Sequence, residues 1–220
     1  MDRSVIRQLA LEAPRISLQV GAFVKVGNHE HLQELRSDGL MYCNHIDYFR
    51  PIENEAGRGD SYEGTSFSYK SDSVSVVVGE GDDRSVLNAA SGLVGRVDIR
   101  VFPDTDVNLF CLYAVTNDRL EHKLDRLREE FGSSALVINR PSEFLERVGD
   151  ACRADGIRCE ARLVDYVSRS SFSGELGVFR KFDEYQYQNE FRFSLSPAVS
   201  PARRLIVGPI DDLSNLVDLP

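Results

Sequence analysis

The residues best suited to chemistry in this chain lie in one short run, Gln188-Asn189-Glu190-Phe191-Arg192. Strand side chains alternate with a period of two, so a strand here places an amide, a carboxylate and a guanidinium side by side on one face. Gln188 and Glu190 then stand about 7 Å apart, which is two strand rises. Such a pair can hold a sugar with one group while the other meets an incoming nucleophile. The alternative is a solvent-facing polar strand in which Glu190 and Arg192 form a weak surface ion pair.

The other face of this strand is apolar and predicts an anchor in the core, through Phe191, Phe193 and Leu195. On the polar-face interpretation, Glu190→Ala should leave the fold intact because Glu190 points away from that core.

Hydrophobic periodicity and turn residues predict the elements that must position this strand. Asn28 is suited to cap the first helix, and Gly39 to end it. The segments 94–102 and 107–114 are expected to pair across residues 103–106. The predicted strands cover 19–26, 40–44, 65–69, 74–78, 94–102, 107–114, 135–138, 158–166, 188–195 and 205–207, and the helices cover 29–36, 118–131, 141–154 and a short C-terminal segment.

These elements predict one α+β domain over residues 1–220, with a core over 19–210 and an N-terminal helical arm over 1–18. We expect a curved, mostly antiparallel sheet with two or three packing helices.

Composition narrows the function classes. The formal net charge of −9 disfavours a protein that coats nucleic acid, because affinity there comes from basic patches on phosphates. No apolar leader follows Met1 and no window resembles a membrane span, so we expect a soluble, cytoplasmic protein that makes no membrane contact. The cysteines lie far apart and form no CxxC pair, which predicts free thiols (Cys43, Cys111, Cys152 and Cys159).

A long irregular stretch over residues 47–64 is rich in Gly, acidic and aromatic residues, and loops of this length are often functional. His45, just before it, is the histidine best placed for a site. A metal-dependent nuclease stays an alternative if the loop folds over the late strand, because it could then gather several carboxylates (Asp47, Asp60, Glu63 and Glu190). No metal-ligand spacing in the sequence demands such a site.

Three blocks together resemble the ADP-ribosyltransferase-type fold, and in particular a bacterial and phage group with that fold. The first block joins a strand, a helix and a Gly-Leu step, and it is Phe23-Val24-Lys25-Val26, the helix to Leu35, Gly39-Leu40-Met41-Tyr42-Cys43 and Asp47-Tyr48-Phe49-Arg50. The second is Gly59-Asp60-Ser61-Tyr62-Glu63-Gly64, followed by Thr65-Ser66-Phe67-Ser68. The third is Gln188-Asn189-Glu190, which matches the Gln/Glu-x-Glu signature of the transferases.

The resemblance implies a mono-ADP-ribosyltransferase that uses NAD as substrate and modifies a protein or nucleic acid in a toxin or phage-defence setting. It implies that Glu190 binds a ribose hydroxyl and stabilises the oxocarbenium-like charge, while Gln188 orients the acceptor. It further implies a set of cofactor-binding residues: Lys25 on the pyrophosphate or adenine ribose, Tyr48 or Tyr62 on nicotinamide, and Ser66 and Arg192 in support.

A competing hypothesis is a non-catalytic binding or regulatory module of a phage or defence system with a degenerate transferase fold. It is favoured by the acidic charge and by Lys25, which stands where arginine-specific members carry Arg. Under either hypothesis, an antitoxin or regulatory protein is a possible partner.

Overall fold

A computed structural model describes residues 20–49, 60–102, 106–116 and 124–219. Among them the helices are α1 (His29–Ser37), α2 (Leu124–Phe131) and α3 (Pro141–Ala154). The strands are β1 (Val20–Gly27), β2 (Leu40–His45), β3 (Phe67–Lys70), β4 (Val76–Val78), β5 (Ser85–Leu87), β6 (Arg96–Ile99), β7 (Asn108–Thr116), β8 (Ser134–Ile138), β9 (Arg158–Leu163), β10 (Asp165–Val167), β11 (Gly174–Glu175), β12 (Arg180–Phe182), β13 (Glu190–Ser196), β14 (Ala202–Ile206) and β15 (Ser214–Asp218). The predicted α+β class, with mostly antiparallel sheets and few helices, is confirmed.

The main sheet forks at β7. One edge of β7 pairs with β13, and β13 pairs in turn with β9. The other edge of β7 is shared by two strands. β1 pairs with the C-terminal half of β7, as far as Val24↔Tyr113. β2 pairs with the N-terminal end of β7, at Asn44↔Leu109 and His45↔Asn108. The sheet continues through β8 and β15 beyond β1, and through β14 beyond β2. The fork leaves room between β1 and β2 beside the middle of β7.

The two faces of the main sheet are covered by different helices. Phe23 and Phe193 belong to the largest core cluster, together with Leu32 of α1 and Phe144 of α3. The other face carries a smaller cluster of Val24, Tyr113, Leu127 of α2 and Ala135. The predicted apolar anchor of β13 is confirmed, since Phe191, Phe193 and Leu195 are all buried.

Local sequence signals explain the helix boundaries. Asn28 Oδ1 accepts a hydrogen bond from the Glu30 N–H at 2.8 Å, the interaction expected of an N-cap. Gly39 has φ +67°, and a Cβ there would lie 1.9 Å from the carbonyl oxygen of Gly208, so only glycine fits after α1. The bounds of α3 coincide with the predicted 141–154. The first residues of the predicted helix 118–131 lie outside the described residues.

Two predictions about the elements are wrong: one strand pairing and one helix. The segment expected to pair with β7 forms β6, which instead pairs with β3 in a separate sheet that also contains β11. Strands β1, β2 and β13 occupy the edges of β7, and a local hairpin loses to these longer-range partners. The predicted C-terminal helix is also wrong, because Ser214–Asp218 adds to β8 as the edge strand β15.

The expected N-terminal arm, residues 1–18, lies outside the described residues. Within the described part of the chain, the helices lack the length and apolar character that crossing a membrane requires.

Candidate functional site

The Gln188–Glu190 segment is not the continuous strand that alternation predicts. Asp183–Gln188 forms a 3₁₀ helix, and β13 begins only at Glu190. Between them Asn189 has φ 37°, a left-handed conformation that Asn tolerates better than most residues. Its side-chain amide donates to the carbonyl oxygen of Ala114 at 2.5 Å, which ties the turn to β7. Gln188 and Glu190 therefore do not share a strand face, and a different residue brings them together.

Glu190 is buried, with 4% of its surface exposed, and both carboxylate oxygens are engaged. Oε1 accepts from Arg192 Nε at 2.6 Å, and Oε2 lies 2.9 Å from Lys181 Nζ. Its backbone N–H donates to the Tyr166 hydroxyl at 3.0 Å. Burial alone would raise the pKa of Glu190, but Arg192 and Lys181 hold it well below the ordinary value. Glu190 is thus an ionised carboxylate at neutral pH in a low-dielectric setting.

Arg192 links Glu190 to the long loop. Its Nη1 and Nη2 donate to the two carboxylate oxygens of Glu63 at 2.6 and 3.0 Å, and Nη1 also donates to the Val178 carbonyl at 2.5 Å. Arg192 is 1% exposed, so the alternative of a weak surface pair with Glu190 is wrong. The reason for expecting Glu190→Ala to leave the fold intact is also wrong, because Glu190 is buried and that change removes one of the carboxylates that neutralise Arg192 and Lys181.

Lys181 is the residue that sequence reasoning missed. Its Nζ lies 2.9 Å from Glu190 Oε2, 2.9 Å from Gln188 Oε1 and 3.8 Å from Glu63 Oε2. Burial would lower the pKa of Lys181, but the neighbouring Glu190 raises it, so the amine stays charged. The contact depends on the parallel pairing of β10 with β12, which places Tyr166 opposite Lys181. Parallel pairing between short strands leaves no signal in the local sequence.

The buried cluster carries more carboxylates than cations. Lys181 and Arg192 face Glu63, Glu190 and also Asp60, which is 4% exposed. Burial, together with the nearby Glu63, raises the pKa of Asp60 to about 6. The Asp60 carboxylate accepts from the Tyr62 N–H at 2.9 Å, which stabilises a local turn near the end of the loop. The loop therefore joins β13 through the Glu63–Arg192 contacts, with Asp60 close enough to act electrostatically on the same cations.

A small cavity of about 80 Å³ lies beside this cluster, between β1, β7, α2 and the start of β13. Val24, Tyr113, Leu127, Gln188 and Glu190 are among its lining residues. Ligand pockets for whole small molecules measure roughly 300–1,000 Å³, so this cavity suits a single small group such as a carboxamide or a ring.

Cys111 also lines this cavity. Burial first, and then the neighbouring Glu190, raises the pKa of the Cys111 thiol to about 12. At neutral pH it is therefore a protonated thiol and not a nucleophilic thiolate.

Lys25 does not approach Glu190 with its side chain. Glu190, Tyr113 and Val24 are cross-strand neighbours on one face, so alternation turns the Lys25 side chain to the other face. Its Nζ enters the fork of the sheet, donates to the Cys111 carbonyl at 2.8 Å and lies 4.7 Å from the centre of the Phe110 ring. The amine satisfies a carbonyl that the diverging strands leave open.

The other predicted cofactor residues have structural partners. Ser66 Oγ accepts from the Val101 N–H at 2.8 Å. The Tyr62 hydroxyl accepts from Arg169 at 2.7 Å, and its ring meets Phe182 edge-on. Tyr48, half exposed, packs edge-on against Phe49. Of the predicted site residues, the structure brings together Gln188, Glu190 and Arg192. Lys25 is among the residues that line the same cavity as Gln188 and Glu190, although its amine binds the Cys111 carbonyl.

The metal alternative gains no support from the geometry. His45 Nε2 lies 2.8 Å from an Asp106 carboxylate oxygen, and the oxygens of Glu63 and Glu190 bind Arg192 and Lys181. Within residues 20–49, 60–102, 106–116 and 124–219, no group of three or more His, Cys, Asp or Glu side chains is arranged to hold a metal ion.

Comparison with known proteins gives no family for this chain: no protein-family model, no curated protein and no solved structure shows a significant match.

Proposed function

We propose that this chain is a mono-ADP-ribosyltransferase that cleaves NAD and transfers ADP-ribose to a protein or nucleic acid. The observation that supports the proposal is the meeting of Gln188 and Glu190 at the wall of a small cavity, where a buried lysine joins them. The motif resemblance is the second support. The setting we propose is that of a bacterial toxin or phage-defence protein, with an antitoxin or regulatory protein as its partner.

The chemistry asks for a fixed negative charge near the ribose. When the bond between nicotinamide and C1′ breaks, nicotinamide leaves with the electron pair and positive charge develops on the ribose. The acceptor then forms the new bond to C1′ and loses a proton. A carboxylate that stays ionised in a low-dielectric site stabilises that charge without reorganising, and Glu190 meets this requirement.

The cavity limits which part of NAD can enter. Its volume of about 80 Å³ suits the nicotinamide group and not the whole dinucleotide. The rest of the substrate would lie outside this cavity. Tyr113 and Leu127 supply apolar surface for a ring, and Glu190 stands at the wall.

A second candidate, the non-catalytic binding or regulatory module, is favoured by one specific observation. Both oxygens of Glu190 already bind cations, so its charge is largely compensated before any ligand arrives. Under this hypothesis the cluster is structural and NAD is not turned over.

Nicotinamide release separates the two candidates. Wild type, Glu190→Gln and the control Glu160→Gln are incubated with NAD and cell lysate as the source of acceptor. Glu160 is a suitable control because its carboxylate is 54% exposed and pairs only loosely, at 3.5 Å, with Arg162. The transferase proposal predicts release by wild type and Glu160→Gln, and at least about 100-fold less by folded Glu190→Gln. Well-folded wild type that neither binds NAD in a titration nor releases nicotinamide would contradict the transferase proposal and favour the binding module.

A further inference from the structure

Lys181 determines how the side chain of Gln188 is presented. A lysine ammonium carries three donors and no acceptor, so the Gln188 group facing it must be the amide oxygen. The observed contact is of this kind, with Nζ 2.9 Å from Oε1. Rotation of the amide by half a turn would place an NH₂ group against the ammonium and lose this bond. The electrostatics of the buried pair therefore fix the amide orientation.

The same nitrogen also fixes the spacing between the two predicted catalytic groups. Gln188 Oε1 and Glu190 Oε2 each lie 2.9 Å from Lys181 Nζ, so the two oxygens are within about 6 Å of each other. In a regular strand the spacing would come from backbone alternation, but here the left-handed turn at Asn189 removes that constraint. Lys181 supplies the constraint in its place.

The NH₂ group of the Gln188 amide, which does not face Lys181, is a hydrogen-bond donor. Gln188 Nε2 carries two hydrogens and donates to the Tyr187 hydroxyl at a long 3.3 Å. Its oxygen is already polarised by a cation, which makes the nitrogen the better partner for an entering group. The substrate atom that contacts Gln188 should therefore be a hydrogen-bond acceptor, such as a carbonyl oxygen, a ring nitrogen or a ribose oxygen.

We infer that Lys181 is a positioning residue. It orients the Gln188 amide so that the amide N–H faces a hydrogen-bond acceptor on the substrate, and it keeps Gln188 at a fixed distance from Glu190. This inference rests on the proposed transferase function. Lys181 acts through its two neighbours and not on the reacting atoms.

Steady-state kinetics of nicotinamide release test the inference with three variants. Lys181→Met removes the charge at similar length, Lys181→Arg keeps a cation with a different donor geometry, and Lys70→Met is the control at a partly exposed lysine that pairs with Asp72. We expect Lys181→Met to lower kcat about 100-fold with KM for NAD changed less than about threefold, and Lys181→Arg to recover part of kcat. Lys70→Met should match wild type. A purely structural role predicts instead that activity falls only with the folded fraction.

The side-chain amide of Gln188 gives a readout that does not need turnover. Its ¹⁵N–¹H signals, assigned by their loss in Gln188→Leu, should shift and exchange faster with solvent in Lys181→Met, and stay unchanged in Lys70→Met. If Lys181→Met does not fold, Lys181→Arg should still shift these signals because the guanidinium cannot reproduce a single-nitrogen contact. Unchanged amide signals in a folded Lys181 variant would overturn the inference. If wild type releases no nicotinamide, the proposed function is refuted. The amide signals would still show whether Lys181 orients the Gln188 side chain.

Discussion

Arg192 and Glu63 form a bidentate ion pair across 129 positions of the chain, with two N–H···O contacts of 2.6 and 3.0 Å. Both side chains are almost fully buried. The pair connects the start of the late strand to the acidic loop. It therefore places the Gly-Asp-x-Tyr-Glu-Gly block and the Gln-x-Glu block, distant in sequence, at one site.

Removal of one partner of this pair should be costly. Glu63→Gln removes one of the two carboxylates on the buried Arg192 guanidinium while Glu190 stays paired with it, and the loss of such a charged hydrogen-bond partner costs about 1–3 kcal/mol. We expect a loss of that size in the free energy of unfolding from urea titration. Glu160→Gln, at the exposed carboxylate, should change it by less than about 0.5 kcal/mol.

A double-mutant cycle tests whether Glu63 and Arg192 stabilise each other. If the loss reflects the pair, Arg192→Met combined with Glu63→Gln should cost clearly less than the sum of the single changes. Additive losses would mean that the two residues do not stabilise one another.

Asp60 should make the protein less stable as pH rises. Its folded pKa, about 6, lies above the ordinary value of 3.8, so between these values the folded state binds more protons than the unfolded state. The free energy of unfolding therefore falls from pH 4 to pH 6, by up to about 3 kcal/mol for this group. Asp60→Asn, which keeps an oxygen for the Tyr62 N–H, should gain stability relative to wild type across that window. Equal pH dependence of wild type and Asp60→Asn would contradict the assignment.

Titration of Glu190 should change the free energy of unfolding in the opposite direction. Its folded pKa is held below the ordinary 4.5 by Arg192 and Lys181, so its contribution is present above pH 4.5 and is lost as pH falls toward the folded value. Acid titration of stability, followed by circular dichroism, should show a weaker decline below pH 4.5 in Glu190→Gln than in wild type. The two proteins are compared by the slope of the free energy of unfolding against pH, because Glu190→Gln is expected to be less stable than wild type at neutral pH.

Sequence reasoning found the elements whose signals are local. The Asn28 cap, the stop at Gly39 and the apolar periodicity of 141–154 each act within one turn or one helix, and the structure confirms them. The apolar anchor of β13 was also predictable, because alternation from Phe191 to Leu195 is regular.

The site was predictable only in part, because its geometry is long-range. Alternation predicted a common face for Gln188 and Glu190, but the left-handed turn at Asn189 breaks the strand between them. Burial of Arg192 depends on Glu63 arriving from the acidic loop, and the role of Lys181 depends on a short parallel pairing. Neither contact leaves a spacing pattern in the sequence.

The Tyr187 hydroxyl should hold α2 against the site. It donates to the Glu130 carboxylate at 2.7 Å and accepts from Gln188 at 3.3 Å, while the guanidinium of Arg126 stacks 3.4 Å from its ring centre. Tyr187→Phe keeps the stacked ring and removes only the hydroxyl, which should cost about 1 kcal/mol.

Because α2 lines the cavity, the effect should be local: hydrogen exchange should accelerate in the peptide covering Leu124–Phe131 and not in the one covering Glu190–Ser196. Tyr42→Phe, at a ring that is 54% exposed, is the matched control and should change neither peptide. If α2 exchanges at the wild-type rate in Tyr187→Phe, the hydroxyl does not hold the helix, and the packing of Leu127 and Phe131 together with the Arg126 stack is sufficient.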